Sequence, residues 1–443
     1  MDALFTDLYE LTMMKSYLAH GMRETAVFEA YARTLPPTRG FLLACGLEQV
    51  VSYLERLRFE EQELEWLARR RELDADLIRE LRELRFTGDV DAIPEGTLVF
   101  ENEPLVRVTA PLPIAQLVET RLLNIIHLQT VIASKAARVV LAAPGKLLVD
   151  FGVRRAHGLE AGLYAARASY VAGFDGTSTV LAGERFGIPL YGTMAHSFIE
   201  AHDDEAEAFR RFARANRGRT TLLIDTYDTE EGARIAVRLA REGLDVRGVR
   251  IDSGDLLAHA KKVRRILDDG GLRHCTIFAS GGLDEDAIQR LVDAAAPIDG
   301  FGVGTRLDTS GDAPYLDCAY KLEEYAGRAR RKRSEGKATW PGPKQVYRTY
   351  AASGEMTRDV VTLSSDPKAG EPLLVPVMRG GRRVAPPERL ETIRARARKQ
   401  LCALPLHLRG LDVAPGYPVE IAPALHELAA RLDASTCARA RLS

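Results

Sequence analysis

His196 lies in the string PLYGTMAHSFIEAHDDEAEAF, residues 189 to 209, where an apolar run gives way to an acidic, helical one. Small residues precede it (Gly192, Thr193 and Ala195), which leaves room for a reactant to approach the imidazole. A histidine at such a seam is either packed core or a working group, and its surroundings decide between the two.

Polar residues recur at the ends of other apolar runs. One run ends in Asp150, Phe151, Arg154 and Arg155, and the next in Asp175, Gly176, Thr177 and Ser178. Thr193 and His196 follow the third, and Asp225 and Asp228 the fourth. Arg250, Asp252, Ser253 and Asp255 follow the fifth. The last two runs end in Ser280, Gly281 and Gly282, then in Gly302, Gly304, Thr305 and Arg306.

Arginine supplies a planar fork for phosphate or carboxylate, so Arg154, Arg155 and Arg250 suit an anionic reactant, or a salt bridge to Asp150 or Asp252. Asp252 suits ribose hydroxyls or a magnesium-bound water, while Ser253 or Asp255 suits a helix N-cap. Glycine turns let backbone N–H groups approach an anion, and SGG leads towards a helix expected from Leu283. Taken together, these residue types fit a phosphorylated sugar with a second anionic partner.

The elements that must carry them follow from periodicity. KLLVDFG, SYVAGFDG, IPLYGTM, TTLLIDTY, DVRGVRID, CTIFASGG and IDGFGVGT read as strands, with helical stretches such as TEEGARIAVRLAREG between most of them. Strands alternating with helices predict βα units and a parallel sheet, here an irregular β/α barrel with its site at the carboxyl ends of the strands. Before the barrel, residues 6 to 20 predict a helix, residues 46 to 85 further helices, and the stretch from Phe86 to Leu112 short strands. Residues 113 to 143 return to helix, and the tail from about 335 alternates strands and turns. The expected domains are 1–110, a barrel over 111–330, and 331–443, with the last completing the first as an α+β unit.

The 443 residues suffice for two or three domains. Lys+Arg (61) and Asp+Glu (62) nearly cancel, so no overall field points to nucleic acid or to a membrane surface. The Arg-rich stretches RARRKR (328–333) and RGGRR (379–383) are local, read as solvated faces or a phosphate-facing edge. Five scattered cysteines (45, 275, 318, 402 and 437) show no C-x-x-C spacing, which argues against a disulfide framework or zinc knuckle and suits a reducing cytoplasm. His196, His202, Asp203 and Asp204 lack diagnostic metal spacing, and no metal ligands are assigned.

Several strings together resemble the nicotinate phosphoribosyltransferase family: TDLYELTM, FGVRRAHG, GFDGTSTVLAGERFGIPLYGTMAHSFI, RIDSGDL, ASGGLDE, DGFGVGTRL and YKLEEYAGRARRKRSEGKATWPGPKQVYR. The likeness spans residue 6 to about 348; the last 90 or so residues carry little that matches. The resemblance implies a type II phosphoribosyltransferase fold and transfer of the 5-phosphoribosyl group from phosphoribosyl pyrophosphate to the ring nitrogen of nicotinate. It further implies Mg2+, ATP as co-substrate, a role in NAD salvage, and a homodimer with shared active sites.

On that resemblance Phe151 stacks on the pyridine ring, and Tyr9 of a neighbouring subunit covers its other face. Arg154, Ser178 and Thr177 attend the nicotinate. Arg250 serves the pyrophosphate, Asp252 the ribose hydroxyls, and Ser280, Gly281, Gly282, Gly304 and Thr305 the 5-phosphate. His196 stands where family members carry the histidine that ATP phosphorylates. Amide-using relatives have aspartate in place of Ser178; a carboxylate about 4 Å from bound nicotinate would cost roughly 4 kcal/mol at an effective dielectric near 20. Serine therefore favours the acid over nicotinamide. A sugar-phosphate isomerase or aldolase would need a lysine at a strand exit, where none stands. A silent nucleotide sensor would be expected to have lost His196, Arg250 or Asp252, and all three are present.

Overall fold

The computed structural model describes residues 3–218, 220–334, 337–412 and 416–440. They form two compact units, Met1–Ser134 with Tyr315–Ser443, and Lys135–Pro314. The divisions thus fall at 134/135 and 314/315, beside expected boundaries of 110/111 and 330/331.

The first unit is built from both chain ends. Its larger sheet has the order Arg328–Ala329, Cys318–Tyr325, Thr25–Ala32, Pro104–Pro111, Asp89–Ala92, Val375–Arg379, Arg382–Arg383, with antiparallel neighbours throughout. Thr25–Ala32 is central and buried along seven of its eight residues, as its run of Ala, Val, Phe and Tyr requires. Glu29 interrupts that run, and its carboxylate meets Lys344 Nζ at 2.9 Å. A second sheet pairs Lys344–Tyr350 with Met356–Leu363, and there Arg348 Nε donates to Asp359 Oδ1 at 2.9 Å. The tail is less purely strand and turn than its sequence suggests, because Leu390–Ala403 and Pro423–Ala440 are helices. Nor are the Arg-rich stretches simply solvated. Arg331 pairs with Asp433, Arg379 with Asp91, and Arg383 with Glu48 and Glu55.

The second unit carries six parallel strands: β1 Leu147–Asp150, β2 Gly176–Thr177, β3 Thr221–Leu223, β4 Gly248–Ile251, β5 Thr276–Ala279 and β6 Gly300–Val303. Their order in space is β2-β1-β6-β5-β4-β3. First and last strands are neighbours, Leu148 opposite Phe301, and Thr177 bridges onward to Leu190. Sequence order therefore runs round a ring, as in a barrel, and the ladder lapses between Leu190 and β3 among the described residues. This is the irregular α/β barrel that the alternation of runs predicts.

Two runs differ from expectation. Ser169–Ala172 of SYVAGFDG ends the helix Leu159–Ala172, and IPLYGTM contributes only the bridge at Leu190. Short β-branched or aromatic runs suit either state, and here burial of the helix against the sheet decides. Aspartates at the helix starts are legible in the sequence. Asp204, Asp228, Asp255 and Asp284 each accept a backbone N–H from the first turn of the helix that follows.

One helix among the described residues, Glu119–Ala142, is long and apolar enough to cross a membrane, and most of it is buried. Cys275, Cys318 and Cys402 are free thiols and Cys45 is buried; the side chain of Cys437 lies outside the described part.

Candidate active site

The centre of the site is β4. Residues two apart on a strand face the same way, so Arg250 and Asp252 leave its end together. Arg250 donates from Nη2 to Asp252 Oδ1 at 2.6 Å, from Nε to Ser280 Oγ at 2.8 Å, and from Nη1 to Thr193 Oγ1 at 3.0 Å. Ser280 in turn donates to Asp252 Oδ1. One guanidinium thus ties together the exits of β4, β5 and the segment before His196. Of the two roles open to Arg250 in the sequence, the internal pair with Asp252 is formed. Nη1 also lies 3.4 Å from Met194 O, so each guanidinium nitrogen has an acceptor within the protein.

Burial is the strongest single influence on Asp252 and works to raise its pKa. The Ser280 hydrogen bond, the charge and hydrogen bond of Arg250, and His196 together outweigh it, so the carboxyl lies below its ordinary value. It is an anion across the neutral range. Asp252 N also donates to Asp225 Oδ2 at 2.9 Å, and Ser253 Oγ to the same oxygen at 2.6 Å. Asp255, by contrast, caps its helix through Ala258 N.

His196 opens the helix His196–Glu200 and remains partly exposed. Its Nδ1 is 3.1 Å from Thr226 Oγ1, and its Nε2 stands 3.9 Å from Asp252 Oδ2. One nitrogen is held by a hydroxyl while the other points to the same carboxylate that Arg250 holds. His202 and Asp204 have separate employment, His202 Nδ1 against Phe198 O at 2.7 Å and Asp204 as a helix cap.

Phe151 follows β1. Its ring centroid is 5.8 Å from that of Phe278, and the Arg250 guanidinium carbon lies 5.5 Å from its centre. The aromatic and the cationic halves of the site are therefore in contact. Thr177 is buried and donates to Asp150 Oδ2 at 2.7 Å, so its hydroxyl shapes the end of β1 and β2. Ser178 is half-buried, its backbone N–H bonded to Asp150 O at 2.9 Å. Arg154 and Arg155 are exposed and form no ion pair among the described residues.

Gly281 and Gly282 both have positive φ, +94° and +65°. A Cβ on Gly281 would lie 1.9 Å from the carbonyl oxygen of Asp252, so this turn passes over β4 only because it has no side chain. The helix beyond begins at Glu285 rather than Leu283, and Asp284 caps it. What remains for an anion is the turn itself. The N–H groups of Gly281, Gly282, Gly304 and Thr305 have no acceptor among the described residues. Thr305 begins the short helix Thr305–Asp308, with Gly304 as its N-cap.

His196, Arg250, Asp252, Ser280 and Gly281 are thus one cluster, with Phe151 against Arg250. Tyr9 belongs to the other unit, where it is exposed on the helix Leu8–Ala19. The sequence reading missed Thr226 and Asp308. Thr226 is one residue past Asp225 at a strand exit, a signal within reach; Asp308 follows the last glycine turn and carries none.

The profile of the nicotinate phosphoribosyltransferase (NAPRTase) family matches residues 147–338, that of the N-terminal domain residues 4–127, and that of the C-terminal domain residues 366–429. The chain belongs to the nicotinate phosphoribosyltransferase family. The likeness reaches into the last 90 residues, where the motifs alone had not carried it. The protein is 50% identical to the nicotinate phosphoribosyltransferase pncB2 of Mycobacterium tuberculosis (strain ATCC 25618 / H37Rv), over 99% of this chain and 96% of that one. It is 42% identical to the nicotinate phosphoribosyltransferase of Bacillus subtilis (strain 168), covering 78% of this chain and 73% of that one. The solved structure of human nicotinic acid phosphoribosyltransferase superposes with a TM-score of 0.86 at 30% identity, over 96% of this chain and 99% of that chain.

Proposed function

We propose that the protein transfers the 5-phosphoribosyl group from phosphoribosyl pyrophosphate to the ring nitrogen of nicotinate, forming nicotinate mononucleotide and pyrophosphate in NAD salvage. The observation that carries this reading is the Arg250–Asp252–Ser280 set beside His196, bordered by Phe151 and by the glycine turns.

The bond from the anomeric carbon to the pyrophosphate oxygen breaks, and a bond from the nicotinate nitrogen forms. Positive charge grows on the sugar as negative charge leaves it. Asp252, held ionised, binds the ribose hydroxyls on the cationic side. Arg250 stabilises the departing pyrophosphate, and the Gly281–Gly282 and Gly304–Thr305 turns hold the 5-phosphate. Phe151 stacks on the pyridine and aims its nitrogen, with Arg154 and Ser178 on the carboxylate side, while Thr177, its hydroxyl held by Asp150 and by Thr179 N, supports that side without reaching the substrate. No protein nucleophile attacks the sugar.

Magnesium fits this site. It keeps several waters and binds phosphate oxygens with only one or two carboxylates. Asp225 Oδ1 is buried without a hydrogen-bond partner, an oxygen of the kind such an ion or its water takes up. The ion would supply charge neutralisation to pyrophosphate. ATP acts through His196. With Nδ1 engaged by Thr226, Nε2 is the nitrogen that accepts the γ-phosphoryl group, with ADP as leaving group. A phosphoryl group there would stand against Asp252, a like-charge contact that alters how the site holds its substrates.

Tyr9 completes the site from a second copy of the chain. Phe5, Leu8 and Tyr9 are all about half exposed, apolar surface that a homodimer would cover. The near-neutral charge and the scattered cysteines without C-x-x-C spacing are in keeping with a cytoplasmic enzyme.

The test supplies purified protein with phosphoribosyl pyrophosphate and magnesium, then labelled nicotinate or nicotinamide, each with and without ATP. Nicotinate converted to its mononucleotide, faster with ATP, supports the whole reading. Preference for nicotinamide would overturn the role of Ser178. Silence with both would overturn the enzyme.

A further inference from the structure

A second pair of acids lies under the site, outside every role assigned above. Asp150, fully buried at the end of β1, spends both carboxyl oxygens. Oδ1 accepts from Gly152 N at 2.8 Å and Oδ2 from Thr177 Oγ1 at 2.7 Å. Asp308, nearly as buried, ends the helix Thr305–Asp308. Neither of its carboxyl oxygens has an N–H or O–H donor among the described residues. The Asp150 carboxyl is the charged group that acts on it, and the two acids meet across Gly152, whose N–H is the donor to Asp150 Oδ1.

Gly152 makes this approach possible. A Cβ there would lie 2.2 Å from Asp308 Cγ and 2.3 Å from Oδ1. The Asp308 carboxyl therefore rests on the backbone of the turn that presents Phe151 and Arg154. Two buried carboxylates in contact repel; a single proton between them converts the contact into a charge-assisted hydrogen bond. Among the described residues no lysine or arginine pairs with either acid. Burial and the neighbouring carboxyl are what act on Asp308.

We infer that Asp308 is a protonated acid that donates to Asp150, and that this clasp holds the Phe151–Arg154 turn in register with the Gly304–Thr305 turn. Asp150 is already the acceptor for Thr177, so the bond joins the ends of β1, β2 and β6 beneath the cleft. In the proposed reaction, on which its catalytic meaning rests, one turn carries the pyridine and the other the 5-phosphate. The distance between nitrogen and anomeric carbon then depends on the clasp. Asp308 is a positioning residue: it need touch neither substrate.

Two substitutions separate the proton from the packing. Asp308→Asn keeps a donor towards Asp150, whereas Asp308→Leu keeps the branched shape, with bulkier methyl ends, and removes the donor. The Asn variant is expected to hold kcat/KM within about threefold of the parent. The Leu variant is expected to raise KM for both nicotinate and phosphoribosyl pyrophosphate by roughly tenfold to a hundredfold, the worth of a hydrogen bond to a charged group. Equal behaviour of the two variants would overturn the inference. A second readout needs neither substrate nor variant activity: infrared spectroscopy of protein carrying carbon-13 aspartate, at neutral pH. A carboxylic-acid C=O band that shifts on deuteration and vanishes in Asp308→Asn is the expected signature. Wild-type protein without such a band would refute the clasp, whatever the enzyme's reaction. An inactive protein that shows the band would refute only the proposed reaction.

Discussion

Arg250 Nη2 and Asp252 Oδ1 meet at 2.6 Å from positions two residues apart on one strand, so the strand's own geometry builds the ion pair. Because the same guanidinium also reaches Ser280 and Thr193, lysine cannot replace it. Arg250→Lys should lower kcat/KM on the order of a hundredfold or more. In Arg250→Ala the Asp252 carboxyl loses a neighbour that favours its ionised form. In the proposed reaction Asp252 acts as the anion, so activity is expected above its pKa and lost as pH falls through it. The acid limb of the pH–rate profile should therefore move to higher pH in the variant; an unmoved limb would mean that another group controls it.

The turn over β4 admits no side chain. Gly281→Ala sets a methyl against the Asp252 carbonyl at a φ of +94°. A cost of about 1–3 kcal/mol in stability follows, together with a higher KM for phosphoribosyl pyrophosphate. Denaturant titration and steady-state kinetics measure the two effects separately.

Ser178→Asp should discriminate against the acid substrate. A carboxylate about 4 Å from nicotinate costs roughly 4 kcal/mol, on the order of a thousandfold in affinity. Competition between labelled nicotinate and nicotinamide reads the change directly, and unchanged nicotinate use would remove Ser178 from the site.

Tyr9 can be tested by mixing inactive chains. If sites are shared, Tyr9→Ala and Arg250→Ala subunits refolded together should regain activity, since half of the mixed sites combine an intact Tyr9 with an intact Arg250. No recovery would make each site the work of one chain.

Glu10, next to Tyr9, is fully buried. Burial pushes its carboxyl from 4.5 up to about 7, with Gln116 opposing and Glu119 adding. The folded state holds the proton longer than the unfolded chain does. Stability from this group is full below about 4.5 and falls as pH rises towards about 7, by roughly 3 kcal/mol in all. Denaturant midpoints across that window should fall in the parent and flatten in Glu10→Gln.

Much of this was legible in the chain. The alternation of apolar runs with helical stretches set the parallel barrel, because each strand buried on both faces must be followed by a helix that covers it. Of Ser253 and Asp255, the two N-caps open to the helix after β4, Asp255 is the one that serves, since a short acceptor is what a first turn lacks. His196, Arg250, Asp252 and the glycine turns stood out because strand exits of a barrel converge. The tail's helices, the lapse of the ladder after Leu190 and the helix start at Glu285 were not legible, because short apolar runs and glycine turns suit more than one local state. Contacts between distant residues were hidden altogether. Nothing in the strings couples Thr226 to His196, Ser280 to both Arg250 and Asp252, or Asp308 to Asp150. Residue type and spacing determined which groups could do the chemistry. Only the parallel pairing of the strands, which brings ends of separate strands within hydrogen-bonding distance, decided which of them hold one another and which remain available to a substrate.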